Sequence, residues 1–429
     1  MLELQKLQKT QQDVKVIDLN FSQNNLNEQQ LSLYKQLMRS RRNVQSINLD
    51  LTKSSASKEH LNSLFKRISK MPCLEHLSIT LGQSKAFQMK EMFEFLSKLK
   101  ILVSLKFSCN FSNKKDAFDF SEFLSKMQNL KSLKLDIVLQ YFNDFEKIKQ
   151  EITKMDRLEE LTLKVNQNSL VCGTQYFQNC INEKNCLEFL SLNLSLVQYD
   201  QSKIQEVVKE IQKAKGLKVL KLTLKLNEYQ LNYLPFYQLL FQIWSQLKEI
   251  THFYLYCDFL RTEECKFLLS ELSKLDSLKL VYLSGLNIQL VSQMSSFFQS
   301  LDNKFYLQLD LAKFRRIITI KSEHYGLFSQ SLLQVKNLQA IYLHLTQEYN
   351  QKIENLPQVF DSLKQSKSLK SIVIDFSTLI KTYKNCITTN LLKLKNLYHI
   401  NLLKNQDLLN QNKKKIYRKL PRLVMVLAN

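Results

Sequence analysis

Histidine, aspartate, tyrosine and lysine carry most of the chemistry this 429-residue chain has to offer. His252, His344 and His399 are three of its six histidines, and three imidazoles brought to one point would hold zinc. His344 close to Asp310 and Asp375 would be an imidazole favoured in its charged form, or a base awaiting a nucleophile. The eight cysteines show no paired spacing and no C-x-x-C, so no zinc or redox motif is written in them. No P-loop, protein-kinase loop or G-x-S-x-G elbow occurs. A second set has the chemistry of contact instead: His252, Tyr254, Tyr256, Tyr282, Tyr306, Tyr342 and His344. Tyrosine offers a large rigid ring and one hydroxyl, the profile of an interface anchor. A third set is basic, within a formal net charge of +22. What any of these can do depends on what brings them together.

The phrase "SKMQNLKSLKLDI", Ser125 to Ile137, supplies the answer. Leu130, Leu133, Leu135 and Ile137 alternate with lysine, serine and aspartate, the pattern of a half-buried strand. The phrase recurs as "SKMPCLEHLSITL", "TKMDRLEELTLKV", "SKLDSLKLVYL" and "LKLKNLYHINL". Written as L-x-x-L-x-L-x-L, it begins at Val14 and ends with a copy at Leu423, about fifteen copies at a mean period of roughly 29 residues. Helical stripes lie between copies: Leu61, Leu64, Phe65 and Ile68, then Met92, Phe93, Phe95, Leu96 and Leu99. One strand and one helix cannot bury both faces alone, so neighbouring units must stack around a shared core.

This pattern resembles the leucine-rich-repeat family, in particular its long-repeat, ribonuclease-inhibitor-like type, over nearly the whole chain. The resemblance implies an α/β solenoid, a horseshoe with a parallel concave β-sheet and convex helices. The asparagine that follows the strand in that family stands at Asn110, Asn166 and Asn405 but gives way to Val138 and Leu286 elsewhere. The weakest copy runs from Lys304 to Leu311, where lysine occupies the first apolar position. Some members of the family activate small GTPases with an arginine in a strand-to-helix loop. Arg39, Arg41 and Arg42 lie on the helix-to-strand side, so that match fails.

A parallel stack assigns each set a place. Side chains between the buried leucines point into the concave groove. Its middle column is small or charged up to Lys221, then runs Tyr254, Tyr282, Gln308 and Tyr342. His252, Tyr256, Tyr306, His344 and His399 flank it, and Asp310 and Asp375 fall in the column of His344. Successive strands put the three histidines roughly 14 and 10 Å apart, whereas zinc needs nitrogens about 2 Å from one point. No metal or cofactor is implied, and without a nucleophile His344 reads as part of a charge ladder. Lys70, Lys98, Lys126, Lys154, Lys213, Lys274, Lys336, Lys367 and Lys393 gather at helix carboxyl ends along one rim. Each is expected to bond the last free carbonyls and offset the helix dipole, worth about 0.3 to 1 kcal/mol.

With 5 Gly and 4 Pro, the chain has no stretch that would separate two domains. The expected organisation is a cap over residues 1–13, the solenoid over 14–403 and a basic capping repeat over 404–429. The first residues lack an apolar signal, and no window reaches the roughly 18 to 20 apolar residues that span a bilayer. Scattered cysteines fit a reducing compartment, so an intracellular, cytoplasmic site is expected, with "KKKIYRK" as a nuclear-import candidate. The function expected is a non-enzymatic scaffold binding a protein through the concave face. The charge surplus would draw an acidic protein, and the alternative is a basic platform for RNA or an anionic membrane surface.

Overall fold

The computed structural model describes residues 15–20, 43–52, 57–82, 89–111, 113–139, 144–167, 170–171, 186–196, 201–226, 247–257, 261–284, 306–311, 322–344, 356–375, 397–403 and 425–427, with single positions such as Phe177, Cys180, Ile181, Tyr237, Val291 and Leu394 between them. Chain contacts divide it into two compact units, Met1–Leu217 and Lys218–Asn429. The expected amino-terminal cap lies outside the described residues, as does most of the expected carboxy-terminal one.

In the first unit the strands are β1 (Val16–Asn20), β2 (Ser46–Leu51), β3 (His76–Leu81), β4 (Ser104–Asn110), β5 (Ser132–Leu139), β6 (Glu160–Gln167), β7 (Leu170–Val171) and β8 (Phe189–Leu196). The helices are α1 (Lys58–Ile68), α2 (Met89–Leu96), α3 (Lys114–Ser125), α4 (Phe145–Thr153) and α5 (Gln201–Lys213). β1 to β6 and β8 pair in parallel in chain order, the arrangement that intervening helices enforce. β7 is an addition that the repeat pattern does not announce, folding back antiparallel on the end of β6.

The alternation dictates the layers. In β3, Leu77, Ile79 and Leu81 are buried while His76, Ser78 and Thr80 are not. On α1 the buried residues are the expected stripe, Leu61, Leu64, Phe65 and Ile68. On α2 they are Met89, Met92, Phe93 and Leu96, with Phe95 half-buried beneath Lys98 Nζ, 5.4 Å from its ring centre. Aromatic rings join the two layers: Phe107 of β4 stacks on Phe120 of α3 at 4.8 Å, and Phe93 lies 5.3 Å from both Phe120 and Phe123. Cys109 and Cys257 are buried, as their inward positions require. Gly82, just past β3, passes so close to Thr52 that a Cβ would stand 1.9 Å from its carbonyl oxygen.

The recurrent Ser-Lys pair acts differently from expectation. At the helix ends it is the serine that meets a late carbonyl: Ser69 Oγ donates to Lys66 O, Ser97 to Glu94 O, Ser125 to Glu122 O and Ser273 to Ser270 O, at 2.7 to 3.0 Å. Four of the expected rim lysines instead turn their ammonium to a carboxylate one turn back: Lys126 meets Glu122 at 2.9 Å and Lys154 meets Glu151 at 2.7 Å. Lys213 and Lys274 meet Glu210 and Glu271 in the same way. The physical reason is that a full opposite charge one turn away outcompetes a partial one. Lys393 lies outside the described residues.

The second unit repeats the plan with β9 (Val219–Leu226), β10 (His252–Cys257), β11 (Leu280–Leu283), β12 (Tyr306–Leu311), β13 (Leu338–His344), β14 (Ser371–Asp375), β15 (His399–Leu403) and β16 (Met425–Leu427). Its helices are α6 (Thr262–Leu272), α7 (Ser322–Gln334) and α8 (Leu356–Gln365). β9 to β16 pair in parallel in chain order, so the last copy, near Leu423, does add a strand. Strands and helices alternating in phase with the leucines give each unit the α/β architecture of stacked leucine-rich repeats. Among the described residues no helix is long and apolar enough to cross a membrane.

Candidate binding face

The register of β9 to β12 sets the aromatic row. Lys221 pairs with Tyr254, Tyr254 with Tyr282, and Tyr282 with Gln308, all on the side opposite the buried Leu220, Phe253, Val281 and Leu307. Tyr254 and Tyr282 lie 6.1 Å apart, centre to centre, and Tyr256 and Tyr282 4.7 Å, both tilted. Those are the separations at which aromatic pairs attract. Lys221 reaches across to place Nζ 4.6 Å from the centre of the Tyr256 ring, a cation over a negative π-face.

Between β12 and β13 the register slips. Leu307 pairs with Leu338 but Gln308 with Ala340, leaving Gln339 as the extra residue. Repeat phase would match Leu307 with Ile341; instead Leu309 does so. The cause lies in the weak copy: with lysine at position 304, β12 brings no leading apolar residue to match Leu338. From Gln308 onward the slip is two residues, and an even slip keeps every side chain on its own face. The neighbours change, however. Tyr342 stands beside Asp310, not Gln308. Asp310 therefore leaves the column of His344, which pairs with Asp375, so of the expected triple ladder those two stay aligned.

Asp310 becomes the hub. Tyr282 donates its hydroxyl proton to Asp310 Oδ2 at 2.7 Å, across the strand gap. Asp310 Oδ1 is buried and meets no hydrogen-bond donor among the described residues. Burial raises the Asp310 carboxyl above the ordinary aspartate value, with the Tyr282 hydrogen bond opposing that shift. Burial likewise pushes up the phenols of Tyr254, Tyr256 and Tyr282, and the Asp310 charge adds to the effect on the last two. β11 has only four residues. The next outward position, between Tyr256 and Asp310, is the small buried Ser284, which leaves room for Tyr282 to reach Asp310 and to pack on Tyr256.

The other expected residues sit apart from this nest. His252 shares a hydrogen bond of 2.8 Å with Thr251 Oγ1, and His399 one of 2.8 Å with Ser371 Oγ. Tyr306 is 46% exposed, with Lys370 Nζ 5.8 Å from its ring centre. Among the described residues no group of three or more His, Cys, Asp or Glu is placed to hold a metal. The sequence points to Asp310 only as a neighbour of His344 and to Lys221 only as a member of the middle column; that they join the tyrosines is shown by the register and the side-chain contacts.

No protein-family model matches the chain, and no curated protein does. Among solved structures, the leucine-rich-repeat-containing protein LegL7 of Legionella pneumophila is similar at 17% identity, covering 79% of this chain and 95% of its own, with a TM-score of 0.45. A putative aldo-keto reductase of Pseudomonas aeruginosa matches 40% of this chain and 78% of its own at 9% identity and a TM-score of 0.16. A 3-deoxy-D-arabino-heptulosonate 7-phosphate synthase of Thermotoga maritima matches 56% of this chain and 89% of its own at 12% identity and 0.20. At such scores the fold assignment rests on the strand order and register of the chain itself.

Proposed function

We propose that this leucine-rich-repeat solenoid is a non-enzymatic scaffold, binding a protein partner through the open sheet face of its second unit. The observation that carries this is the packing of Tyr254, Tyr256 and Tyr282 into one aromatic surface, extended past Asp310 by Tyr342. Rigid rings at the centre of a face are what interface hot spots are made of. The chemistry on offer is contact and charge: burial keeps these phenols protonated, so they are poor nucleophiles. An intracellular site of action accords with Cys73, Cys109, Cys186 and Cys265 standing as thiols, outside any disulfide.

The alternative, a basic platform for RNA or an anionic membrane, draws on the net charge of +22. Four of the rim lysines already face glutamates, which leaves less of that charge for phosphate. Binding to a generic RNA should then be weak, and a steep loss with rising salt would favour the alternative.

The scaffold reading is tested with the triple variant Tyr254→Ala, Tyr282→Ala, Tyr342→Ala. The three rings lie outside the leucine core, and the loss of the Tyr282 donor to Asp310 should cost some stability without unfolding the chain, whereas partner binding should weaken by about 2 kcal/mol or more. Proteins retained from native lysate by the wild type and lost from the variant support the reading. An identical set retained by both overturns it.

A further inference from the structure

The nest around Asp310 is an aromatic surface with a buried negative charge beneath it, and that combination selects a ligand. Oδ2 of the carboxylate is held by Tyr282, while Oδ1 is shut away from water with no donor among the described residues. An ionised carboxylate in that state is poorly compensated, and a nearby cation would relieve it. The rings gathered beside it, Tyr254, Tyr256 and Tyr282, have π-faces, which attract cations, best of all where water is excluded. The protein already shows the preference: its own Lys221 places an ammonium over Tyr256, the ring that stacks on Tyr282. Tyr282 is the ring bonded directly to the carboxylate.

We propose that this nest is a receptor for a basic side chain, arginine above lysine, carried by a basic segment of the partner protein. The proposal deepens the scaffold reading and rests on it. Arginine is favoured because a planar guanidinium stacks on a phenol ring, keeps its charge there and sheds water more readily than an ammonium. Charge complementarity is local. The molecule as a whole repels cations at +22, so a basic segment finds its favourable contact at the Asp310 nest, which makes the contact selective.

The test uses the full chain labelled with 13C in its tyrosine rings, titrated with N-acetylarginine amide, N-acetyllysine amide and neutral N-acetylnorleucine amide. The arginine probe should shift the signals of Tyr254, Tyr256 and Tyr282 together and saturably, in the millimolar range of a single side chain, and the lysine probe should do so more weakly. The norleucine probe should leave them in place. In Asp310→Asn, which keeps the size and an acceptor for Tyr282, arginine affinity should fall at least tenfold with a melting temperature no lower than that of the wild type. Equal shifts with norleucine, or unchanged arginine affinity in Asp310→Asn, overturn the proposal, and the norleucine arm needs no variant. If tyrosine-dependent capture of lysate proteins persists in Asp310→Asn, the scaffold reading stands and the cation receptor falls.

Discussion

The two units lay the same parallel ladder and dress it differently. On the outward side of the first, carboxylates and cations answer one another across strands. Lys164 meets Asp136 at 2.7 Å, Lys134 meets Glu160 at 3.4 Å, Ser132 donates to Glu160 at 2.9 Å and Asn48 donates to Asp18 at 3.0 Å. On the second, the acid among the tyrosines is Asp310, its partner is a phenol, and one oxygen has no donor among the described residues. A face whose charges pair internally has little to offer a partner, whereas rings over an under-compensated carboxylate retain something to gain from one. Opposite-charge pairs and aromatic pairs both stabilise sheets, so backbone stability does not decide between the two dressings.

If only the faces differ, the interiors should respond alike. Phe120 of the first unit and Phe253 of the second are fully buried. Either truncated to alanine should lower stability by about 3 to 5 kcal/mol, read by denaturant melting. A much smaller loss in one would mean that the units differ in core as well as in face.

The next effect concerns the ladder itself. A Cβ on residue 82 would stand 1.9 Å from the Thr52 carbonyl oxygen, whereas at Gly216 the nearest atom is 4.0 Å away. Gly82→Ala should therefore cost about 1 to 3 kcal/mol through forced backbone movement. Gly216→Ala should fall within about 0.5 kcal/mol. Equal melting temperatures for the two variants would argue against so close an approach of the β2 and β3 ends.

The leucine phase made most of this legible, because a buried stripe is a property of one segment. The α1 stripe, the inward cysteines and the outward tyrosines all follow from it. What it left hidden belongs to pairs of segments. The slip at Leu307 and Leu338 preserves in and out, so Tyr342 faces outward as expected, yet its neighbour on β12 is Asp310. Asp310 was visible as an outward acid, but its role depends on that register and on the length of the Tyr282 side chain. The partners of Lys126, Lys154, Lys213 and Lys274 stayed hidden for a related reason: periodicity shows which residues gather at a helix end, not which donor reaches the carbonyl.

Asp310 should also give stability a pH dependence of its own. Its carboxyl is raised by burial above the ordinary 3.8, so the folded state favours the protonated form. Below that ordinary value both folded and unfolded chains are protonated and the stabilising contribution is complete. As pH rises, the unfolded chain ionises first, and stability is lost progressively until the folded carboxyl has ionised as well. Asp310→Asn should escape this loss. Its melting temperature relative to wild type should be higher at pH about 7.5 than at pH about 4.5, by scanning calorimetry. A flat difference would mean that the carboxylate is better compensated than its surroundings indicate.

The same substitution on the first face should have the opposite sign and the smallest effect. Asp136 and Lys164 are 41% and 43% exposed, so water and salt already screen their attraction, and such pairs contribute about 0.2 to 1 kcal/mol. Asp136→Asn removes the charge and keeps an acceptor for Lys164, so it should lower stability by no more than that. The loss should shrink further in about 1 M salt, where the screening length is about 3 Å. Measured alongside Asp310→Asn in one buffer series at neutral pH, the two substitutions separate the faces by sign: one removes a compensated charge, the other an uncompensated one. If both destabilise by the same amount, the second face is a charge ladder like the first and the Asp310 nest loses its distinction.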